Sequence, residues 1–252
     1  MESEVPMGKT DEYKKALHKL SNWDEFLMRK SGLPGPRGNI ELAQAAADLA
    51  GVGRIERWLK WDPEKAPVNS KEEFLAFCGV LGLGRLAVEN RVKAPVLLRK
   101  YASDPRWRIR EAVAMALQRF GGASLERMLL IVEDWASGKP LEQRAACAAL
   151  CEPAILENPR TARRVLAMLD RVTESVLKRA DRKSEAFVAL KKGLGYCWSV
   201  AAAAAPAEGK ALMEKWFVCE DPDVRWIMKE NLKKNRLEKT DAEWVRGWRK
   251  KL

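Results

Sequence analysis

The residue types that most often carry chemistry are scarce in this chain. Its single histidine, His18, lies in a lysine-rich stretch and has no credible partner for a catalytic triad. Cys147 and Cys151 are four residues apart, which would place both thiols on one helix face, but no second pair stands at the spacing of a zinc site. We therefore predict no catalytic residue, no metal site and no cofactor.

Two glycine-rich segments are candidates for binding phosphate. Gly79, Gly82 and Gly84 fall inside a helical pattern without a following Gly-Lys-Ser/Thr, so we expect them to permit close packing of helices. The second segment, SGLPGPRGN at 31–39, has two prolines that stiffen it, glycines that leave backbone N–H groups accessible, and a projecting Arg37. We expect this segment to form a structural turn, with a binding loop as the alternative.

Carboxylates are the remaining source of acid chemistry. Asp104 and Asp221 each stand before a proline, which is the pattern of a helix N-cap followed by proline in the first turn. Asn158 has the same pattern, and Thr240 with Glu243 has the spacing of a capping box. These side chains are therefore expected to begin helices rather than to catalyse a reaction.

Ten tryptophans distinguish the composition. Trp135, Trp198 and Trp216 fall at positions expected to pack in the core. Trp107 and Trp226 flank arginines, so their indoles would suit stacking on a nucleic-acid base while the guanidinium groups contact phosphates. The alternative is that both indoles are wedged between neighbouring repeats.

Helices must position these residues. The chain has 34 alanines and 29 leucines but only 27 valines, isoleucines and threonines together, a balance that favours helix. The connections are short, so neighbouring helices are expected to form antiparallel hairpins. The predicted helices run over 10–30, 39–61, 70–90, 94–102, 105–120, 123–137, 140–151, 159–180, 185–204, 208–219 and 222–236, with a short helix after Thr240.

The hairpins repeat along the chain. A basic residue, usually preceded by an apolar one, occurs at Arg110, Arg144, Lys191 and Arg225. Three, six and seven positions after each of these anchors stand residues that are apolar, with one asparagine among them. Such positions share one helix face, so each unit has an apolar stripe that only its neighbours can cover.

The strings DPRWRIREAVAMAL (104–117) and DPDVRWIMKENL (221–232) resemble the second helix of HEAT repeats. This resemblance implies an all-α fold, an α-α superhelix of about five to six antiparallel helix pairs, whose second helices line a concave surface. It also implies that the Asp and Arg of these strings pair between neighbouring units. We expect a single domain over 1–252, with an irregular helical cap at 1–69, HEAT-like repeats at 70–236 and a basic C-terminal helix at 237–252.

The net charge of +11 is concentrated in two segments. Residues 160–192 and 225–252 each contain ten Lys and Arg against four acids, and the rest of the chain is close to neutral. A concentrated basic surface attracts a polyanion, whose counterions are released on binding. The alternative is that these cations only solvate helix faces.

The combination of HEAT-like pairs, basic surface and extra tryptophans is similar to the HEAT-like-repeat alkylpurine DNA glycosylases. That resemblance implies duplex DNA as the partner and a link to DNA alkylation repair, with a metal-free glycosylase as the one enzyme class retained. A protein-binding scaffold that holds an acidic segment is the alternative. The candidate nucleic-acid contacts are Trp107, Arg108, Arg110, Arg144, Lys191, Arg225, Trp226 and Lys229.

The chain ends and cysteines bear on its location. The amino terminus, MESEVPMGKTDEYKK, has acids where a signal peptide needs a basic flank and an apolar stretch. No apolar run is long enough to cross a membrane. The five cysteines are expected to be small buried thiols in a reducing compartment. We predict a cytoplasmic protein with no membrane partner.

Overall fold

The computed structural model describes residues 8–91 and 93–252, so the first seven residues of the predicted N-terminal cap lie outside the described part. The described residues form fifteen α-helices and no strand, which confirms the all-α class. They group into two compact units, Met1–Phe120 and Gly121–Leu252. The single domain and its division at residues 69 and 236 stay predictions.

The helices of the N-terminal unit range from 7 to 17 residues in length. They are α1 (Lys9–His18), α2 (Trp23–Lys30), α3 (Ile40–Leu49), α4 (Val52–Trp58), α5 (Glu73–Val88), α6 (Lys93–Tyr101) and all but the last turn of α7 (Trp107–Ala123). Helix α5 is the centre of this unit, because it packs against α2, α3, α4 and α6. Almost all of its residues are buried, which suits a helix that is apolar on all sides.

The glycines of α5 allow neighbouring helices to approach closely, as predicted. A methyl group added at Gly82 would press on the side chain of Ile55 in α4, and one at Gly79 would press on Trp58 and Leu59. At Gly84 the neighbour is backbone, because an added methyl group would overlap the Cα and carbonyl oxygen of Ala116 in α7. The glycines are therefore needed for packing.

Asp104 does not act as the predicted cap of a helix that begins at residue 105, since α7 begins two residues later. Its carboxylate instead accepts two hydrogen bonds from the guanidinium group of Arg106, each 2.9 Å long, and one from the Arg106 backbone N–H. Arg106 is almost fully buried and also donates to the carbonyl oxygens of Trp61 and Ala66. This pair ties the loop before α5 to the start of α7.

The C-terminal unit has two layers of helices. Its helices are α8 (Leu125–Ala136), α9 (Pro140–Leu150), α10 (Pro159–Leu177), α11 (Glu185–Ala204), α12 (Pro206–Phe217), α13 (Pro222–Leu232), α14 (Asn235–Thr240) and α15 (Ala242–Lys251), with a 3-10 turn at Pro153–Ile155. Helices α9, α11 and α13 lie side by side in one layer, and α8, α10 and α12 form the other.

The predicted apolar stripes hold this architecture together. All positions that lie three, six and seven residues after the four anchors are buried. They lie in α7, α9, α11 and α13, except Cys151, which directly follows α9. Trp198 is on the stripe of α11, is fully buried and donates its indole N–H to the hydroxyl of Thr173 in α10. Trp135 and Trp216 are buried as well, as predicted.

One stripe position is polar and fully satisfied. The buried Asn231 amide of α13 donates to the carbonyl oxygens of Leu194 and Ile227, each at 2.8 Å, and its oxygen accepts from the backbone N–H of Ser199. Two of these three hydrogen bonds cross from α13 to α11. They join the two helices by specific contacts as well as by apolar burial.

Several predicted helix boundaries are wrong. The predicted helix 10–30 is two helices, because the side chain of Asn22 accepts a hydrogen bond from the N–H of Asp24 and so begins a new helix. The predicted helix 39–61 is also interrupted, since the backbone of Gly51 is extended. The last helix is capped by Asp241, whose side chain accepts from the N–H of Trp244, and not by Thr240. Because of such breaks, the described residues hold more helices than the five to six pairs expected.

No helix in the described part of the chain combines the length and apolar character that a bilayer crossing requires.

The approach of α5 to α7 predicts a stability effect. Replacing Gly84 by Ala is expected to lower the free energy of unfolding by about 1–3 kcal/mol, because backbone must move to make room for the methyl group. The matched control is Gly247→Ala in α15, where the added methyl group would have no atom of another part of the structure within 4 Å. That change should be neutral or stabilising by up to about 1 kcal/mol. Urea denaturation measures both, and equal effects would contradict the packing role.

Candidate nucleic-acid interface

The predicted contact residues fall in two groups. Trp107, Arg108 and Arg110 lie in the first turn of α7 in the N-terminal unit. The other candidates lie on the α9–α11–α13 layer of the C-terminal unit, and they are Arg144, Lys191, Arg225, Trp226 and Lys229.

Trp107 is the first residue of α7 and is 45% exposed. Its indole covers the guanidinium group of Arg108, whose Cζ lies 4.4 Å from the ring centroid. The ring also borders a cavity of about 250 Å³, which is mainly apolar and includes Phe74, Phe77 and Glu111 in its wall. Trp107 is therefore not wedged in the core, and part of its ring is free for a partner.

Arg108 is a structural residue. It is buried and donates to the carbonyl oxygen of Gly35 at 2.5 Å, to Oδ1 of Asn69 at 3.2 Å and to Oε2 of the buried Glu73 at 3.3 Å. The N–H of Gly35 bonds to the same Asn69 oxygen. Both backbone groups of Gly35 are thus used internally, so segment 31–39 is a structural turn and Arg108 is not exposed to a ligand.

Arg110 supports the segment that precedes α7. Its guanidinium group donates to the carbonyl oxygens of Asp104 and Pro105, at 2.7 and 2.9 Å. These carbonyls come just before the helix and have no helical partner of their own. Arg110 therefore stabilises the entry to α7.

Lys191 is held by an ion-pair network. Its ammonium group lies 2.7 Å from Oδ1 of Asp223 and 4.8 Å from the ring centroid of Trp226. Arg182 reaches both Asp221, at 2.7 Å, and Asp223, at 2.9 Å. Burial raises the pKa of Asp223, but the hydrogen bonds from Lys191 and Arg182 outweigh it, so the pKa is lower than usual. The charge of Lys191 is thus already neutralised inside the protein.

Asp221 fits one of the two sequence predictions made for it. Its side chain accepts from the backbone N–H groups of Asp223 and Val224, so it caps α13. Its carboxylate also forms an ion pair with Arg182, which joins the segment before α11 to the start of α13. Arg182 lies outside the two HEAT-like strings, so this contact differs from the predicted pairing between the Asp and Arg of those strings. Asp104 differs, because its arginine partner is only two residues away.

Trp226 packs on α11. Its six-membered ring lies over Gly195, where an added methyl group would come within 3.1 Å of Cζ3. The side chain is half-buried. Trp226 therefore fits the alternative in which the indole is wedged against a neighbouring helix, whereas Trp107 does not.

Arg144 and Arg225 also make internal contacts. The Cγ atom of Arg144 lies 3.3 Å from the position that a methyl group would take at Gly193 of α11. Arg225 donates to the carbonyl oxygen of Leu252 at 3.3 Å. Both side chains are half-buried, so their charges lie at the edge of the layer.

Lys229 is exposed on α13, and its ammonium group has no carboxylate partner among the residues that the structure describes. Lys192 on α11 has the same character, although the sequence did not single it out. Tyr196 follows Lys192 by one helical turn and is 44% exposed. The sequence could have pointed to Lys192 and Tyr196. They are four residues apart, and they lie on the helix face opposite the apolar stripe of α11, where exposed residues are expected.

The cysteines lie mainly in the core. Cys147 and Cys151 are buried on the stripe of α9, as predicted, and burial raises the pKa of both thiols, with Cys197 of α11 adding to the effect. Cys219 is half-exposed, which differs from the expectation that all five are buried. Among the described residues, no group of three or more His, Cys, Asp or Glu side chains is arranged to hold a metal ion.

Comparison with known proteins gives a relation at the level of fold. No family model matches the chain, and no curated protein matches it. The crystal structure of AlkD2 from Streptococcus mutans is similar, with a TM-score of 0.61 and 16% identity over 84% of this chain and 96% of that one. The chain has a fold similar to that of AlkD2. The likeness confirms the predicted helical superhelix.

A second solved structure supports the same conclusion. The structure of smu.31 from Streptococcus mutans UA159 has a TM-score of 0.56 and 18% identity, over 89% of this chain and 98% of that one. Both matches extend over nearly the whole length of the known structure. Both solved structures therefore share the helical fold of this chain, as the HEAT-like repeats in the sequence predicted.

The network around Asp223 predicts a pH effect. Because the folded-state pKa of Asp223 is lowered, its ion pairs stabilise the protein above about pH 4, the pKa of an unfolded aspartate, and this stabilisation is lost as the pH falls through the folded-state value. Asp223→Asn should lower the free energy of unfolding at neutral pH by about 1–3 kcal/mol.

The difference in the free energy of unfolding between Asp223→Asn and wild type should become smaller in acid. Urea titrations at several pH values would measure it. Asp181→Asn is the control, because that carboxylate is largely exposed and lies 3.5 Å from Arg179. An exposed pair of this kind contributes about 1 kcal/mol or less. A deficit of Asp223→Asn that stays constant below pH 4 would contradict the network's role.

Proposed function

We propose that this protein binds nucleic acid, with duplex DNA as the favoured partner, through the exposed side of the α9–α11–α13 layer. The observation that carries the proposal is the contrast between two kinds of cation in this layer. Lys191 is neutralised by Asp223, whereas Lys192 and Lys229 are exposed and have no carboxylate partner in the described part of the chain. Cations left unpaired on adjacent helices suit the phosphates of a polyanion.

The charge of the whole unit supports the same partner. Both basic segments, 160–192 and 225–252, belong to the C-terminal unit. Several of their arginines are used in internal ion pairs, as Arg164 is with Glu126 and Glu133. The unpaired lysines on α11 and α13 therefore leave an excess of positive charge on the solvent-exposed surface of this unit.

The fold gives the proposal its context. The sequence resembles HEAT-like-repeat alkylpurine DNA glycosylases, and the structure is similar to AlkD2. A HEAT-like array offers a long row of second helices, and α9, α11 and α13 form such a row in this chain. We infer a role related to DNA alkylation repair, in which DNA binding is the activity that these residues support.

Trp107 is proposed as a second contact. Its exposed indole borders an apolar cavity, and a flat aromatic surface of this kind binds an unpaired nucleic-acid base by stacking. Arg108 behind it is fixed by Glu73 and Gly35, which would hold the indole in place. The contribution of Trp107 is therefore to contact bases, while the lysines contact phosphates.

Removing the unpaired lysines tests the proposal. The double variant Lys192→Gln/Lys229→Gln should bind a fluorescent duplex of about 25 base pairs about tenfold or more weakly at moderate salt, because two phosphate contacts are lost. The slope of log affinity against log salt should fall by about 2. Fluorescence anisotropy between about 50 and 200 mM salt measures both quantities.

The matched control removes the same charge from the other layer. Arg160 and Arg171 are exposed on α10, so Arg160→Gln/Arg171→Gln changes the net charge equally without touching α11 or α13. It should bind close to wild type. Equal losses in the two double variants would show that net charge alone matters, and no binding of wild type in low salt would leave the protein-binding scaffold as the function.

The two tryptophans are expected to differ. Trp107→Ala should weaken binding to a duplex that contains one unpaired base by about tenfold, from the loss of about 1–3 kcal/mol of stacking, with a small effect on stability. Trp226→Ala should mainly lower the free energy of unfolding, by about 2 kcal/mol, because its ring packs on Gly195. Anisotropy and urea denaturation of both variants test this, and the reverse assignment of effects would contradict it.

A metal-free DNA glycosylase stays the one enzyme hypothesis. Release of free base from duplex DNA that contains 7-methylguanine would extend the proposal from binding to catalysis. Glu111, which lines the cavity beside Trp107, is then the carboxylate to replace first.

A further inference from the structure

A second feature of the C-terminal unit has a different chemistry from the exposed face of α11 and α13. A groove of about 770 Å³ lies where the carboxyl end of α11 meets the end of α13 and α14. This volume is in the range of cavities that hold small organic ligands. None of the candidate contacts predicted from the sequence lines it.

The floor and the rim of the groove differ in polarity. Its floor includes Leu156, Val200 and the two alanines at 203 and 204, all apolar. Its rim carries four cations and one carboxylate. The cations are Lys233, Lys234, Arg236 and Lys239, and the carboxylate is Glu157. The groove therefore suits a ligand that has both a flat apolar part and negative charge.

Arg236 is held ready for such a ligand. It donates to the hydroxyl oxygen of Tyr196 at 2.6 Å, and its Cζ lies 4.5 Å from the centroid of the same ring. A guanidinium group fixed in this way loses little freedom on binding and keeps further N–H donors for a phosphate. Lys234 and Lys239 have no carboxylate partner in the described ranges, so they add unneutralised charge.

The groove is continuous with the proposed duplex-binding residues. Lys233, the residue that directly follows α13, comes four positions after Lys229, and Tyr196 follows Lys192 by one turn of α11. Residues four apart lie on the same helix face. A nucleic acid bound along Lys192 and Lys229 would therefore have the groove at one end of its path.

We propose that this groove binds a short single-stranded segment of nucleic acid that adjoins the duplex. A paired duplex keeps its bases stacked inside, so it has nothing to bury against the apolar floor. An unpaired strand exposes base faces beside its phosphates, and single strands are bound in basic grooves where bases stack on aromatic rings or on guanidinium planes, which Arg236 offers at the rim. An acidic peptide would match the rim but would have no flat apolar group for the floor.

The experiment compares two probes on the full chain. One is a blunt fluorescent duplex of about 25 base pairs, and the other is the same duplex with a single-stranded tail of about five thymidines. Wild type is expected to bind the tailed duplex about five- to tenfold more tightly than the blunt one. The ratio of the two affinities is the measured quantity, because it cancels effects of net charge that both probes share.

Two variants assign the preference to the groove. Lys234→Gln/Lys239→Gln removes rim charge, and Ala203→Glu places a carboxylate on the floor; each should bring the ratio of affinities close to one. The control Arg160→Gln/Arg171→Gln removes two charges from α10 and should keep the wild-type ratio. Circular dichroism and urea denaturation would verify that each variant folds.

The outcomes separate this inference from the proposed function on which it rests. If wild type binds the blunt duplex but gains nothing from the tail, the groove is not a strand site and the proposed function stands. If neither probe binds, the proposed function fails, and a free thymidine oligonucleotide then tests the groove alone. A polyglutamate peptide that displaces this oligonucleotide at equal charge concentration would overturn the proposal in favour of an unselective anion site.

Discussion

The apolar stripe on each second helix can be buried only by neighbouring helices, and this constraint determines most of the structure. Helix α11 illustrates it, because it packs against α9 and α13 on its two sides and against α10 and α12 in the other layer. Only one narrow row of its surface stays in solvent, and that row includes Lys192 and Tyr196. The same packing that forms the core thus decides which polar residues are offered to a partner.

The constraint also explains how a fold is shared at 16–18% identity with AlkD2 and smu.31. A stripe requires apolar residues of suitable volume at a fixed spacing, and apolar residues of similar size replace one another at small cost. The glycines of α5 are stricter, since Gly84 faces backbone that cannot move cheaply. Close helix contacts of this kind restrict the sequence more than the stripes do.

Much of the helical architecture could be predicted from the sequence, because it depends on local patterns. The stripe positions after Arg110, Arg144, Lys191 and Arg225 are all buried, and Asp221 caps its helix. One break was missed although the sequence marks it, since Gly51 is followed by a second glycine at Gly53, within a pattern that otherwise fits a continuous helix.

Which charged side chains stay unpaired could not be predicted, because the deciding ion pairs depend on carboxylates that are far away in the sequence. Arg108 is neutralised by Glu73, which is 35 residues away, and Lys191 by Asp223, which is 32 residues away. In the sequence Lys191 and Lys192 are adjacent and equivalent, yet only one of them is free of a carboxylate in the described residues. The groove was missed for the same reason, since α11 and α14 contribute to it from separate parts of the chain.

Asn231 has a consequence for how precisely the layer is aligned. Apolar contacts are nearly indifferent to a small axial slide of one helix along another, because one apolar neighbour replaces the next. The hydrogen bonds of Asn231 do depend on such a slide. Its side-chain amide reaches both the carbonyl oxygen of Leu194 and the N–H of Ser199 at only one axial position of the two helices. A buried polar group of this kind fixes the register of a helix pair at some cost in stability. In this chain it sets the spacing between the cations of α11 and those of α13, and so the spacing that the proposed phosphate contacts would have.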